Sequence, residues 1–276
     1  MNNSFVIRGN ICQTLNPKEL DLHENAFAVC IDGVSKGVFD CLPEEYADLP
    51  LYDYGDALIF PGMIDLHVHA PQYAFRGMCM DLELMDWLNQ YTFPEEEKYE
   101  DLEYAQKAYG MFVDALKKGA TTRACIFATR HRYATELLMK LMEESGLVSF
   151  VGKVNMDREA SQALTEESAD ISAYTTFGWI NAVKDKFKNT KPILTPRFIP
   201  CCTDKLMEEL NLPGHTPYSC RHTYADIQKR RKIDPEIMME IMGHEDFATT
   251  VEHYHTTTDE DLDRIFSAVD GIRRPK

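Results

Sequence analysis

Two histidines separated by one residue, His67 and His69, close the apolar run Pro61-Gly62-Met63-Ile64-Asp65-Leu66. Alternate side chains of a β-strand share a face, so both imidazoles aim into one site. At the C-terminal end of a barrel strand, two imidazoles so placed make half of a zinc or iron centre. A second set of chemically competent residues stands far downstream. Arg221 lies within Thr216-Pro217-Tyr218-Ser219-Cys220-Arg221-His222-Thr223-Tyr224-Ala225, His244 follows Gly243, and Tyr254 comes ten residues later. The eight cysteines show no CxxC spacing, and Cys201-Cys202 is the one adjacent pair. In a chain of this length they read as free thiols that fill cores.

The elements that must position these residues change texture along the chain. Residues 5–15, 26–32 and 37–41 are rich in β-branched and aromatic side chains, with Asp32-Gly33 as a tight-turn signal. Strand and helix then alternate. The strand bearing His67 is followed by a helical period over 101–118, with Leu102, Tyr104, Ala105, Ala108, Met111, Phe112 and Leu116 on one side and Gly119 closing it. Next come a strand over 121–128, a helix over 133–144 stopped by Gly146, and a strand over 148–156. A helix over 166–188 and a strand over 192–198 complete the series, with residues 205–210 finishing a further helix. Four βα units predict a parallel sheet covered by helices, whereas a closed barrel of this kind takes eight. A breaker cluster, Asn211-Leu212-Pro213-Gly214-His215-Thr216-Pro217, precedes residues that read only as helices, near 218–232, 234–243, 247–254 and 259–269.

The expected fold class is therefore α/β. It comprises a small β-domain over 1–62, an incomplete (β/α)8 barrel of about four units over 63–210, and a small all-α segment over 211–276. Composition is globular, with 44% hydrophobic and 27% charged residues. The net charge of −16 argues against a chain that binds nucleic acid along its whole length. The N-terminal residues show no export signal, and no apolar run approaches the roughly 20 residues of a membrane helix. A soluble, cytoplasmic protein is expected.

The stretch around the histidine pair resembles the amidohydrolase superfamily and, within it, the guanine deaminases. The resemblance runs from His69-Ala70-Pro71-Gln72-Tyr73 through Trp87-Leu88, Tyr91-Thr92-Phe93-Pro94-Glu95, Gly119-Ala120-Thr121-Thr122 and Phe127-Ala128-Thr129. It continues in Val151-Gly152-Lys153-Val154-Asn155-Met156-Asp157 and Thr195-Pro196-Arg197-Phe198. It implies that His67 and His69 ligate zinc, that Gln72 hydrogen-bonds a purine, and that Arg197 and Phe198 hold and stack on it. The implied reaction is hydrolytic loss of the exocyclic amine of guanine. The family's further ligands, two histidines and an aspartate, and its proton-shuttling glutamate lie on later strands, from a Ser-His-x-x-Glu-type motif onward. No such motif follows Phe198, so the expectation is a hydrolase cut at its midpoint and inactive alone.

Residues 212–268 resemble instead the catalytic part of tyrosine recombinases of the phage-integrase family. That resemblance implies that Arg221 contacts a scissile phosphate, that His244 assists proton transfer, and that Tyr254 is the nucleophile. Tyr218 stands where many members carry a histidine, and the family's upstream arginine and hairpin lysine have no counterpart before residue 212. DNA is the implied partner, although residues 212–276 hold nine Lys/Arg against twelve Asp/Glu. A fusion of two fragments with neither activity is the third reading. Open parallel sheet edges predict pairing with a second copy or cover from the helical segment.

Overall fold

The computed structural model describes residues 3–16, 19–197 and 201–212. The described chain divides into two compact units, one of residues up to Leu66 with 115–124, the other of residues 67–114 and those from 125 onward.

The first unit is built on a four-stranded sheet in the order β3-β2-β1-β4. Strands β1 (Phe5–Asn16) and β2 (Glu19–Ile31) pair antiparallel, with Phe5 opposite Cys30 and Ile11 opposite His23. The Asp32-Gly33 turn, both residues at positive φ, leads into β3 (Val34–Phe39), antiparallel to β2. Strand β4 (Leu51–Ile59) joins β1 in parallel, with Val6 opposite Leu51. Val6, Ile11, Ala26 and Val29 are buried, and register shifts near Gly9 interrupt strict alternation along β1. The composition signal missed both the first half of β2 and all of β4, because those stretches alternate apolar with acidic residues and so read as loop.

Strand β5 (Met63–His69) carries the histidine pair. The second unit continues from it through a 3₁₀ turn (Ala70–Phe75), helix α1 (Leu84–Trp87), a π-turn (Leu88–Thr92) and helix α2 (Phe93–Glu97). Helix α3 (Leu102–Lys118) opens where Asp101 Oδ1 accepts the amides of Glu103 and Tyr104. Its buried stripe is Ala105, Ala108, Tyr109, Phe112 and Val113, whereas Leu102 and Met111, expected on that side, are exposed. Then follow β6 (Thr121–Phe127) and α4 (Arg132–Ser145), which ends on left-handed Gly146 as expected.

Three expected elements are shorter or broken. The run 148–156 is two strands, β7 (Val148–Gly152) and β8 (Val154–Asn155), parted at Lys153. Helix α5 spans Ala169–Val183, not 166–188, because Ser168 caps it by accepting the Ile171 amide and Glu166 is drawn into the interior. The last strand is likewise two pieces, β9 (Thr190–Pro192) and β10 (Thr195–Pro196). The strand order is β5-β6-β7-β9, following the chain, and β10 pairs in parallel with β8 as a separate ribbon. That split needs a close crossing. A Cβ on Gly152 would stand 2.2 Å from the Thr195 side chain, so only glycine lets the two segments approach.

Helix α6 (Asp204–Glu209) is capped by Thr203, whose own N–H and hydroxyl bond Asp157. The adjacent cysteines enter different cores: Cys201 packs with Leu88, Phe93 and Met156, and Cys202 with Ala169, Leu206 and Leu210. Among the described residues no helix is long and apolar enough to cross a membrane.

Candidate active site

The end of β5 sends both histidine side chains to one place. Their Nε2 atoms lie 3.2 Å apart, and both rings pack on Phe127 at the end of β6 with centroids 4.7 Å away. Two nitrogens bonded to one zinc at about 2.05 Å in tetrahedral geometry would be separated by about 3.3 Å. The observed convergence fits that spacing. The Nδ1 of His69 is buried and makes no hydrogen bond. Burial, with Arg197 and His67 as lesser contributors, pushes the His69 imidazole down to about 3, so it is uncharged at neutral pH, as a ligating imidazole must be. Among the described residues no group of three or more His, Cys, Asp and Glu gathers around a common point. Among the described residues, the histidine pair stands without a third such side chain beside it.

The histidines line an open pocket of about 960 Å³. Gln72 and Tyr73 reach it from the 3₁₀ turn after β5, Trp87 and Leu88 from the α1 region, and Arg197 from the end of β10. Four residues expected from the sequence, His67, His69, Gln72 and Arg197, are therefore brought to one cavity. Phe198 lies outside the described residues, as do Arg221, His244, Tyr254 and Tyr218.

Arg197 is not simply a free cation facing the pocket. Its side chain is 3% exposed, and Nη1 donates to both carboxylate oxygens of Glu96, at 2.6 and 2.5 Å. Its guanidinium carbon stands 5.8 Å from the Phe93 ring centroid. Burial pushes the Glu96 carboxyl above its ordinary value, and the guanidinium opposes that rise. Sequence reasoning missed Glu96, which sits in an acidic run, Glu95-Glu96-Glu97, that reads as a solvated face. It missed Phe127 as the surface beneath both imidazoles for a similar reason, since an aromatic at a strand end reads as ordinary core.

A second buried polar group supports the strand from which Arg197 hangs. Lys153 Nζ donates to Glu166 Oε1 at 2.6 Å, while Glu166 Oε2 accepts the Met156 amide and the Ser172 hydroxyl. Asn155 Nδ2 donates to Ser172 and Thr176, and the Asn155 carbonyl accepts the Arg197 amide at 3.0 Å. Burial pulls the Lys153 amine below its ordinary value, and Glu166 opposes that shift.

Strands β5, β6, β7 and β9 share one sheet, and the histidine pair at the end of β5 lines the same pocket as Gln72 and Arg197. The Amidohydrolase family profile matches residues 58–273, and the chain belongs to that family. Guanine deaminase from Dictyostelium discoideum is 41% identical over 164 residues, 59% of this chain and 36% of that protein. Guanine deaminase from Rattus norvegicus is 40% identical over 151 residues, 54% of this chain and 33% of that protein. The crystal structure of guanine deaminase from C. acetobutylicum with bound guanine in the active site superposes with a TM-score of 0.71 at 41% identity. That superposition takes in 75% of this chain and 49% of the other. The chain spans about a third of the length of the curated relatives it matches.

Proposed function

We propose that this chain carries the purine-binding half of a guanine-deaminase-type zinc hydrolase, whose reaction converts guanine and water to xanthine and ammonia. The observation that carries the reading is the convergence of the two imidazoles, with Nε2 atoms 3.2 Å apart, on the same pocket as Gln72 and Arg197. In this reading His67 and His69 are two of the zinc ligands. A zinc bound there would lower the pKa of a water molecule towards about 7. Gln72 and Arg197 hydrogen-bond the base, Phe198 stacks on it, and the apolar wall of Trp87, Leu88 and Phe127 excludes solvent. A catalytic zinc takes about three protein ligands, so the pair needs further ligands, and a proton-carrying carboxylate, from outside the described residues.

The family match continues to residue 273 and so takes in the stretch holding Arg221, His244 and Tyr254. The reading of that stretch as a DNA-recombining fragment, and of the chain as a fusion, rests on those residues alone. Pairing with a second copy rests likewise on the edge strands β5 and β9.

Calorimetry with guanine, paired with the ultraviolet change on conversion to xanthine in excess zinc, tests the proposal. Guanine binding that is lost in Arg197→Ala, without turnover by the 276-residue chain, is the expected result. Absence of guanine binding would overturn the purine reading, and conversion at an ordinary enzymatic rate would overturn the half-site reading.

A further inference from the structure

Helix α2 presents Phe93 and Glu96 one turn apart, on the same face. Both meet the guanidinium of Arg197, 101 residues further along the chain: the ring at 5.8 Å, the carboxylate through two short bonds to Nη1. Glu96 is fully buried and Arg197 nearly so. The main-chain amide of Arg197 is fixed separately, on the Asn155 carbonyl. An arginine side chain has several rotatable bonds, and holding it in one orientation costs rotamer freedom. A carboxylate whose two oxygens both accept from Nη1 restricts that freedom before a ligand arrives. With Nη1 so engaged, the Nε/Nη2 edge is the guanidinium's other two-donor fork, the shape that matches a carbonyl oxygen and a neighbouring ring nitrogen of a purine.

We propose that Glu96 is a positioning residue of the purine pocket. It pins Arg197 so that the Nε/Nη2 edge meets the oxo-bearing edge of a 6-oxopurine, and it thereby sets preference for 6-oxopurines over bases lacking that oxygen. This rests on the reading above, in which Arg197 holds the base. Glutamine at position 96 keeps the shape but offers a single acceptor oxygen and turns an amide N–H₂ toward the guanidinium.

The test compares binding of guanine and 2-aminopurine, which lacks the 6-oxo group, to the full chain and to Glu96→Gln, Glu96→Asp and Arg197→Ala. Loss of a charged hydrogen-bond partner predicts guanine binding weaker by about 10- to 100-fold in Glu96→Gln, with 2-aminopurine changed less than about threefold. Glu96→Asp, which keeps the charge, should fall between parent and Glu96→Gln, and it carries the same comparison if Glu96→Gln fails to fold. Equal losses for both purines, or none, would overturn the positioning role alone. A parent chain that binds guanine no better than Arg197→Ala overturns the purine reading, and the positioning role falls with it.

Discussion

Replacing Lys153 with methionine probes the buried pair that fastens the centre of the second unit. The Lys153 side chain is 3% exposed and that of Glu166 8%, with Nζ to Oε1 at 2.6 Å. At an effective dielectric near 20, two unit charges at that distance attract by about 6 kcal/mol before desolvation is charged against them. Methionine fills nearly the same volume, so the change is electrical rather than a cavity. Glu166 keeps the Met156 amide and the Ser172 hydroxyl but loses its counter-charge, and an uncompensated buried charge costs about 3–5 kcal/mol. Urea unfolding is the assay, followed by circular dichroism and by the fluorescence of Trp179, which is fully buried in α5. The chain has two tryptophans, so a Trp87→Phe background isolates that probe. With an m-value toward the upper end of the usual 1–3 kcal/mol/M, the midpoint at pH 7 should fall by about 1–2 M. A companion result is required. The double change Lys153→Met with Glu166→Gln should return to within about 1–2 kcal/mol of the parent, since it leaves no lone charge. A single-variant midpoint within about 0.3 M of the parent would refute the reasoning.

Two further outcomes follow from local geometry. His23 bonds Asp40 through Nδ1 at 2.7 Å and Asp21 through Nε2 at 3.0 Å, and these partners, Asp40 first, raise its pKa above the ordinary 6.5. The clasp is therefore complete below about pH 6.5 and is lost as pH rises through the raised folded value. Asp21, whose carboxyl is lowered chiefly by Gln13 and then by His23, loses its share only in acid. Thermal midpoints should decline above neutrality in the parent and stay flatter in His23→Gln, with the imidazole titration followed by NMR. Gly152→Ala should destabilise by about 1–3 kcal/mol through contact with Thr195, and addition of Thr195→Gly should recover part of that loss. Equal midpoints for Gly152→Ala and the parent would show that the crossing relaxes freely.

Local periodicity made several features legible in advance. The strand carrying His67 and His69, the Asp32-Gly33 turn, helix α4 with its Gly146 stop and helix α3 all depend on residues within a few positions of one another. Boundaries that depend on distant partners were not legible. The run 148–156 is apolar enough to read as one strand, yet it breaks at Lys153 because that amine must meet Glu166, 13 residues on. Helix α5 starts later than its composition suggests because Glu166 is spent on the same pair.

The amino-acid sequence by itself determined that two imidazoles share a face, because side chains on a strand alternate whatever surrounds them. It determined too that βα units follow, because amphipathic period is a property of neighbours along the chain. Only the tertiary structure decided that Arg197 belongs to Glu96, that Phe127 lies under both histidines, and that Lys153 is an interior cation. The two ion pairs turn on which charges are removed from water together, and no stretch of sequence carries the cost of burying a charge until its partner, 13 residues away for Lys153 and 101 for Arg197, is folded against it.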